Sequence, residues 1–424
     1  MADVEAVRAE VKAFLAEQWD PELTVREWWR RFADAGWAMA TWPVDVGGKG
    51  LSRTEASVVG KEVAAAGALG VPSGLGVLLA APTIIQHGTP EQKARYLRPL
   101  IDGSEAWCQL FSEPGAGSDL ASLQCKAERD GDEWVVSGQK VWTTQGHLAD
   151  LGMLICRTDP DAPKHTGITY FAIEMDQPGI EVRPLREMTG RALFNEVFLD
   201  EARVPDRARI GDLNAGWTVA NTTLAAERAG LGSGGGGGAG VAFPGEKAGM
   251  LDEKCSTYLR SGGRGAAAAT GIASAGSAGF MIGLAREYHR TEEPAVRQRL
   301  AELYSLNQIG GWNALRARAG AGRAWGIPSA PNLGKLQQSQ ITRLTRDLGP
   351  ALLGGEGLLT GPDAPRGGVV SEMTLFAPGP SIYGGSDEIQ KNIIGERGLG
   401  LPKEPGPDKL TPFKDLKVGT QRAT

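Results

Sequence analysis

The spacing of apolar residues changes period twice along this 424-residue chain, and that double change constrains the fold more than any other feature. From the start to about residue 105, apolar side chains recur at helical intervals. In the acidic opening stretch Val4, Val7, Val11, Phe14 and Leu15 share one helical face. "PVDVGGKG" (43–50) and "VPSG" (71–74) interrupt the pattern. Thr89-Pro90-Glu91 reads as a helix start, with a hydroxyl N-cap, a proline in the first turn and an acid behind it. Between Trp107 and about Pro205 the period shortens to β-rich runs: "EWVVSG", "MLICRT", "ITYFAIEM", "IEVRPL" and "NEVFLDEARV". Their β-branched and aromatic content, punctuated by Asp-Gly and Pro, suits antiparallel strands. From Trp217 to about Leu401 helical spacing returns. The predicted fold is α+β and multidomain: an N-terminal helical domain (1–105), a middle antiparallel β domain (106–210) and a C-terminal helical bundle (211–401). A charged, Pro-containing tail (402–424) is expected to lie on the surface.

Several function classes are disfavoured. A net charge of -5 argues against a nucleic-acid partner, which would want a basic face. No apolar run is long enough for a bilayer; the stretch Leu75 to Ile85 is too short and contains Pro82. The opening residues resemble neither a signal nor a transit peptide. Cys108, Cys125, Cys156 and Cys255 show no CxxC spacing, so free thiols in a reducing, cytoplasmic setting are expected and zinc is not. His87, His147, His165 and His289 show no metal-ligand spacing, and no GxSxG elbow occurs. "GLGSGGGGGAG" (230–240) formally matches GxGxxG but follows a helix instead of a strand, so a bend is the better reading. "SGGRGAAAATGIASAGSAG" (261–279) reads as a loop leading into a helix.

The chemistry concentrates in "WCQLFSEPGAGSDLASLQCKAERDGDEWVVSGQKVWTTQGHLAD", Trp107 to Asp150. Small residues in a Pro-Gly turn let a planar ligand approach the backbone. Hydroxyls such as Ser112 and Ser118 can bind its edge, and the Trp142 indole can flank its face. This ordered set resembles the flavin-contacting β domain of the acyl-CoA dehydrogenases, whose "TEPxAGSD" and "WITN" motifs appear here as Ser112 to Asp119 and Trp142 to Gln145. Further marks are "GWAMATWPVDVGGKGLS", "HGTPEQKARYLRPLIDG", "FNEVFLDEARVP", "LGPALLGGEGLL" and "SIYGGSDEIQKNIIGERGLG".

The resemblance implies an FAD enzyme that removes the α-proton of an acyl-CoA thioester and passes the β-hydride to the flavin. It places Gln109, Phe111 and Ser112 at the flavin edge through backbone and hydroxyl groups, and Trp142 and Thr144 on the flavin's other side. Gly117 and Ser118 line the passage for cofactor and acyl-CoA. Ser386 and Glu388 fall at the adenine side, and Gly354 and Gly355 contact the cofactor from a neighbouring subunit. Arg228 and Tyr383 join Ser118 as substrate contacts. Many members carry the catalytic glutamate directly after the tyrosine of the C-terminal loop, and this sequence has Gly384 there. A subgroup resembling isovaleryl-CoA and long-chain dehydrogenases carries it instead on the helix after the β domain. In "NAGWTVANTTLAAERAGLG" that register gives Glu227 as base. The Gly384 N–H would keep the enolate-stabilising role, and the missing side chain would open the pocket to a bulky, branched or ring-bearing acyl group.

One departure stands out: the family's "RxxFG" segment, which sends an Arg to the FAD pyrophosphate across a dimer, is replaced by "REYHRTEEPAVRQRLAELY", leaving Arg290 and Arg297 as candidates. The pattern is similar to divergent actinobacterial-type members, some acting on steroid side chains and some built from two different subunits. Expected partners are an acyl-CoA, an electron-transfer flavoprotein and further subunits in a homo-dimer or tetramer, with a heteromer open. Two alternatives remain: an oxidase of the same fold, revealed by peroxide release, and a non-catalytic or half-site partner subunit, revealed by a purified homo-oligomer without flavin.

Overall fold

The computed structural model describes residues 4–231, 242–259, 277–320, 329–361, 363–403 and 410–416. The glycine run at 232–241 and the small-residue segment up to 276 lie outside the described residues.

The N-terminal region holds α1 (Val4–Gln18), α2 (Val25–Asp34), α3 (Arg53–Ala65), α4 (Ala81–His87) and α5 (Pro90–Ile101). Thr24, Ser52 and Thr89 each cap a helix by accepting from the N–H three residues on, while Glu27, Glu55 and Gln92 reach back to the cap N–H. Thr89 and Pro90 thus start α5 as the sequence predicts. Trp28, Trp29 and Phe32 on α2 are buried in the core of this domain, each contributing about 2–3 kcal/mol of apolar burial. The chain enters α4 through a π-helical turn, Gly76–Ala80. A Cβ on Gly76 would lie 2.3 Å from the Leu100 Cδ2 methyl, so glycine lets this turn pack closely against α5.

The middle region contains β1 (Trp107–Leu110), β2 (Lys126–Asp130), β3 (Glu133–Thr144), β4 (Leu151–Arg157), β5 (Ile168–Glu174), β6 (Ile180–Leu185), β7 (Phe194–Pro205) and β8 (Arg209–Ile210). They form one sheet in the order β6-β7-β3-β2-β4-β5-β8, with β1 also on β4. The sheet is mixed, which corrects the antiparallel expectation: β4 pairs in parallel with β1 (Trp107 opposite Leu151) and with β2 (Lys126 opposite Arg157). β4 is buried along its whole length and β5 along all but its last residue, so both read as continuous apolar runs.

Helix α6 (Gly216–Leu231) leaves the sheet and lies between it and α4. Gly216 is required there, because a Cβ would sit 2.5 Å from the Thr169 backbone of β5. The segment 242–259, with α7 (Cys255–Leu259), returns to the N-terminal helices. The Arg26 N–H donates to Leu251 O at 2.8 Å, the Cys255 N–H to Leu23 O at 2.9 Å, and the Arg26 side chain pairs with Glu246 and Asp252. The C-terminal bundle comprises α8 (Ala278–Glu287), α9 (Pro294–Gly320), α10 (Ala330–Leu353), α11 (Val369–Phe376) and α12 (Asp387–Ile393), around Met281, Leu303, Leu348, Leu352 and Met373. Residues 410–416 of the tail dock on the β domain, where buried Phe413 lies 3.7 Å under the Arg157 guanidinium.

Candidate active site

Three segments far apart in sequence meet beside the sheet: β1 with the turn after it, α6, and the turn before α12. On α6, Val219, Ala220 and Thr223 are buried and Leu224 packs against the same core. Glu227 continues that inward stripe one turn further, so the helical period points it toward the site. Two hydrogen bonds between side chains fix the helix against α4: Thr83 to Thr223 and His87 Nε2 to Thr222, both 2.8 Å. The Glu227 carboxylate lies 3.5 Å from the Gln109 amide of β1, which donates to it. Burial raises the Glu227 pKa above the ordinary carboxylate value; the Gln109 amide and the charges of Arg228 and Lys335 offset part of that rise. Tyr383 is close enough that its own pKa, pushed up to about 12 chiefly by burial, also feels the Glu227 charge.

The sheet side of the site is set by a break in register. Between Lys140 and Thr143 the β3–β7 ladder slips, and Trp142 takes φ 61, a left-handed backbone that a bulky side chain rarely adopts. The indole is consequently 60% exposed, held edge-on against Phe194. Thr144 is partly exposed beside it, and the buried Thr143 hydroxyl has no hydrogen-bond partner among the described residues. Gly115 and Gly117 have open space where a Cβ would stand, and Ser118 is exposed. A planar ring system with hydrogen-bonding edges fits the exposed indole, the partly exposed Thr144 hydroxyl beside it and the glycine-lined turn.

Under that turn lies a cluster that sequence reasoning missed. Lys140 is fully buried; its ammonium donates to Glu113 Oε1 (2.8 Å), Phe111 O (3.2 Å) and Ile155 O (2.8 Å). Glu113 also accepts the backbone N–H groups of Gln124 and Cys125 at 2.7 and 2.9 Å. The Phe111 carbonyl is therefore engaged inside the protein and its ring packs edge-on to Tyr170 at 5.9 Å, leaving its N–H as the group available to a flavin edge. Ser112 likewise uses its carbonyl within the domain, accepting from the Val141 N–H at 2.9 Å, and keeps its hydroxyl. Both Glu113 and Lys140 stood inside the segment singled out by sequence, but a strand lysine alone reads as a surface residue.

The third wall is the turn 380–390. Gly384 and Gly385 take φ 64 and 87. Ser386 caps α12 by accepting the Ile389 N–H, Asp387 binds Arg343 at 2.6 Å, and Glu388 is exposed. Buried Lys335 of α10 donates to Pro380 O and lies 3.9 Å from Asp387. No sequence signal marks Lys335. Gly354 and Gly355 are exposed at the far end of α10, roughly 16 Å of helical rise beyond Arg343, and do not meet the other residues within one chain. There they lie near the end of α8: Tyr288 donates to Glu356 at 2.6 Å, and Arg290, two residues on, pairs with Glu293. Arg297 sits 3.7 Å from Glu292.

The arrangement is matched by known proteins along nearly the whole chain. Residues 2–104, 108–201 and 261–399 match the N-terminal, middle and C-terminal domains of acyl-CoA dehydrogenases. Acyl-CoA dehydrogenase IpdE1 of Mycobacterium tuberculosis is 36% identical over 95% of this chain and 99% of its own length. The solved Tcur3481-Tcur3483 steroid ACAD shares the fold at TM-score 0.67 and 27% identity, covering 95% of this chain and 99% of that one. The ChsE4-ChsE5 complex from Mycobacterium tuberculosis does so at TM-score 0.67 and 27% identity, covering 95% and 98%. With the fold, the flavin-compatible wall and these matches together, the chain belongs to the acyl-CoA dehydrogenase family and is an FAD-dependent oxidoreductase of that family.

Proposed function

We propose that this enzyme desaturates an acyl-CoA between Cα and Cβ with Glu227 as the base. The observation that carries the reading is the placement of Glu227 on the inward stripe of α6, against Gln109 and the Tyr383 turn, with its pKa raised by burial. An α-C–H next to a thioester is a very weak acid, so its removal needs both a positioned carboxylate and a stabilised enolate oxygen. Glu227 takes the α-proton. The Gly384 N–H, which meets no acceptor among the described residues, donates to the thioester oxygen. Gln109 keeps the carboxylate aimed at Cα, Tyr383 and Arg228 close the site around the acyl group, and Ser118 lies on the way in.

Gln109, Phe111 N–H, Ser112, Gly117, Ser118, Trp142 and Thr144 would hold the flavin end of FAD, with Ser386 and Glu388 toward its adenine side. Bound FAD supplies the acceptor for the β-hydride. Gly354, Gly355 and Arg290 would serve the cofactor of a neighbouring subunit, since they cluster away from Glu227. Arg290 is favoured over Arg297 by the Tyr288–Glu356 hydrogen bond beside it. A glycine in place of the loop carboxylate leaves room for a bulky, branched or ring-bearing acyl group, and a relative described as a steroid ACAD supports that class. Electrons would leave to an electron-transfer flavoprotein. The paired names of the two solved relatives make a second, different subunit a specific alternative to a homo-oligomer.

The test is anaerobic titration of the purified flavoprotein with straight-chain, branched and steroid-ring acyl-CoAs, following loss of oxidised-flavin absorbance. Bleaching by a bulky thioester supports the reading. A flavin that stays oxidised with every thioester, or a homo-oligomer without flavin, would point to a partner subunit.

A further inference from the structure

We infer that Gln390, backed by Asn332, is a positioning residue that sets the direction of the Gly384 N–H; this rests on the role proposed above for that N–H. A peptide group in a turn has no ladder to orient it, and two successive residues at positive φ leave the glycine pair free to rotate unless something outside holds it. Gln390 supplies that hold. Its side chain is fully buried, and its amide NH2 donates to Gly384 O at 2.7 Å and Gly385 O at 3.1 Å. The other end of the same amide is used as well: Gln390 Oε1 accepts from Asn332 Nδ2 at 2.7 Å. With donors and acceptor both engaged, the amide has one orientation, and so do the two carbonyls it grips. A Cβ on Gly385 would stand 2.7 Å from Gln390 Nε2, so the second glycine is required for this grip.

The start of the turn is held from the same helix. Asn332, Lys335, Ser339 and Arg343 follow at spacings of 3, 4 and 4 and so share one face of α10. Lys335 and Ser339 both donate to Pro380 O, and Arg343 donates to the Ser381 hydroxyl at 2.7 Å. The Tyr383 N–H donates to Gly379 O at 3.0 Å. The peptide that carries the Gly384 N–H is thereby bracketed, by the restrained Ile382–Tyr383 peptide before it and the two gripped peptides after it, and the N–H is left for a ligand. Oxyanion stabilisation depends on a donor already aimed at the developing charge, so a clamp of this kind acts on the transition state through geometry.

A merely structural Gln390 would lower stability without touching enolate binding, and the two roles separate on one reagent. (Phenylthio)acetyl-CoA has an acidified Cα–H that can ionise and no β-hydrogen to transfer. Its pH-dependent ionisation on the flavoprotein therefore reads enolate stabilisation alone. Gln390→Met keeps the volume and removes the donors. The expected result is unchanged flavin content and thioester affinity at low pH, with the ionisation midpoint raised by one to two pH units, about a 10- to 100-fold loss of enolate stabilisation. Asn332→Ala should raise it less, in the same direction. An unchanged midpoint in folded Gln390→Met overturns the inference; should that variant lose flavin, an unchanged midpoint in Asn332→Ala does so. A wild-type enzyme that binds the thioester without ionising it overturns the functional reading itself, and the inference with it.

Discussion

The sheet wall of the site and its turn wall are held by different means. The sheet wall, from Gln109 to Ser112 and Trp142 to Thr144, is fixed by strand ladders and by the buried Lys140–Glu113 pair beneath it. The turn wall, Tyr383 to Gly385, has no ladder and is held by side chains from α10 and α12. A ladder spreads its hold over many backbone groups, whereas the turn depends on a few side chains. Damage under the sheet wall should therefore show first as lost stability, and damage around the turn as lost rate. Glu227 stands on a third element, a helix packed between α4 and the sheet, and touches the sheet wall only through Gln109.

That contrast can be broken in order of expected effect. Glu227→Gln should slow flavin bleaching by the preferred acyl-CoA by about 10²–10⁴-fold, the span of general-base catalysis, as read by anaerobic stopped flow. The same variant should melt no lower than wild type at pH 7. A folded pKa above the unfolded value means that the native state binds more protons in between, so this carboxylate costs stability as pH rises through that window. Lys140→Met should cost about 3–5 kcal/mol in urea unfolding, because Glu113 is left buried without its cation. Equal losses from Lys140→Met and from a Gln390 change would erase the distinction between the walls. Gly384→Ala should cost about 1–2 kcal/mol of stability through its positive φ, and should shift preference toward slimmer acyl groups in competition assays. Finally, the acid limb of the bleaching rate should lie above the ordinary glutamate value of about 4.3, since the base works only when ionised and burial raises its pKa.

The helices and strands were largely legible in the sequence, because their signals are local. The α5 start was carried by Thr89, Pro90 and Glu91, and β4 and β5 by uninterrupted β-branched and aromatic runs. The parallel pairing of β1 was not, since "WCQL" is too short to show alternation and its partner lies some forty residues on. The slip that turns Trp142 outward has no signature beyond the residue itself. The site was legible only through its motifs. Glu227, Gln109 and Tyr383 are separated by more than a hundred residues, and no periodicity connects them. Lys335, Asn332 and Gln390 were invisible, because polar residues on a helix read as solvated until a neighbouring turn covers them.

The most direct test of the central claim isolates the proton from the hydride. (Phenylthio)acetyl-CoA incubated with the flavoprotein in D2O should gain deuterium at Cα, measured by mass spectrometry of the recovered thioester. Wild-type enzyme is predicted to catalyse this exchange, and Glu227→Gln, with its flavin and thioester binding intact, to lose it. Exchange that continues at the wild-type rate in Glu227→Gln would contradict the assignment of the base.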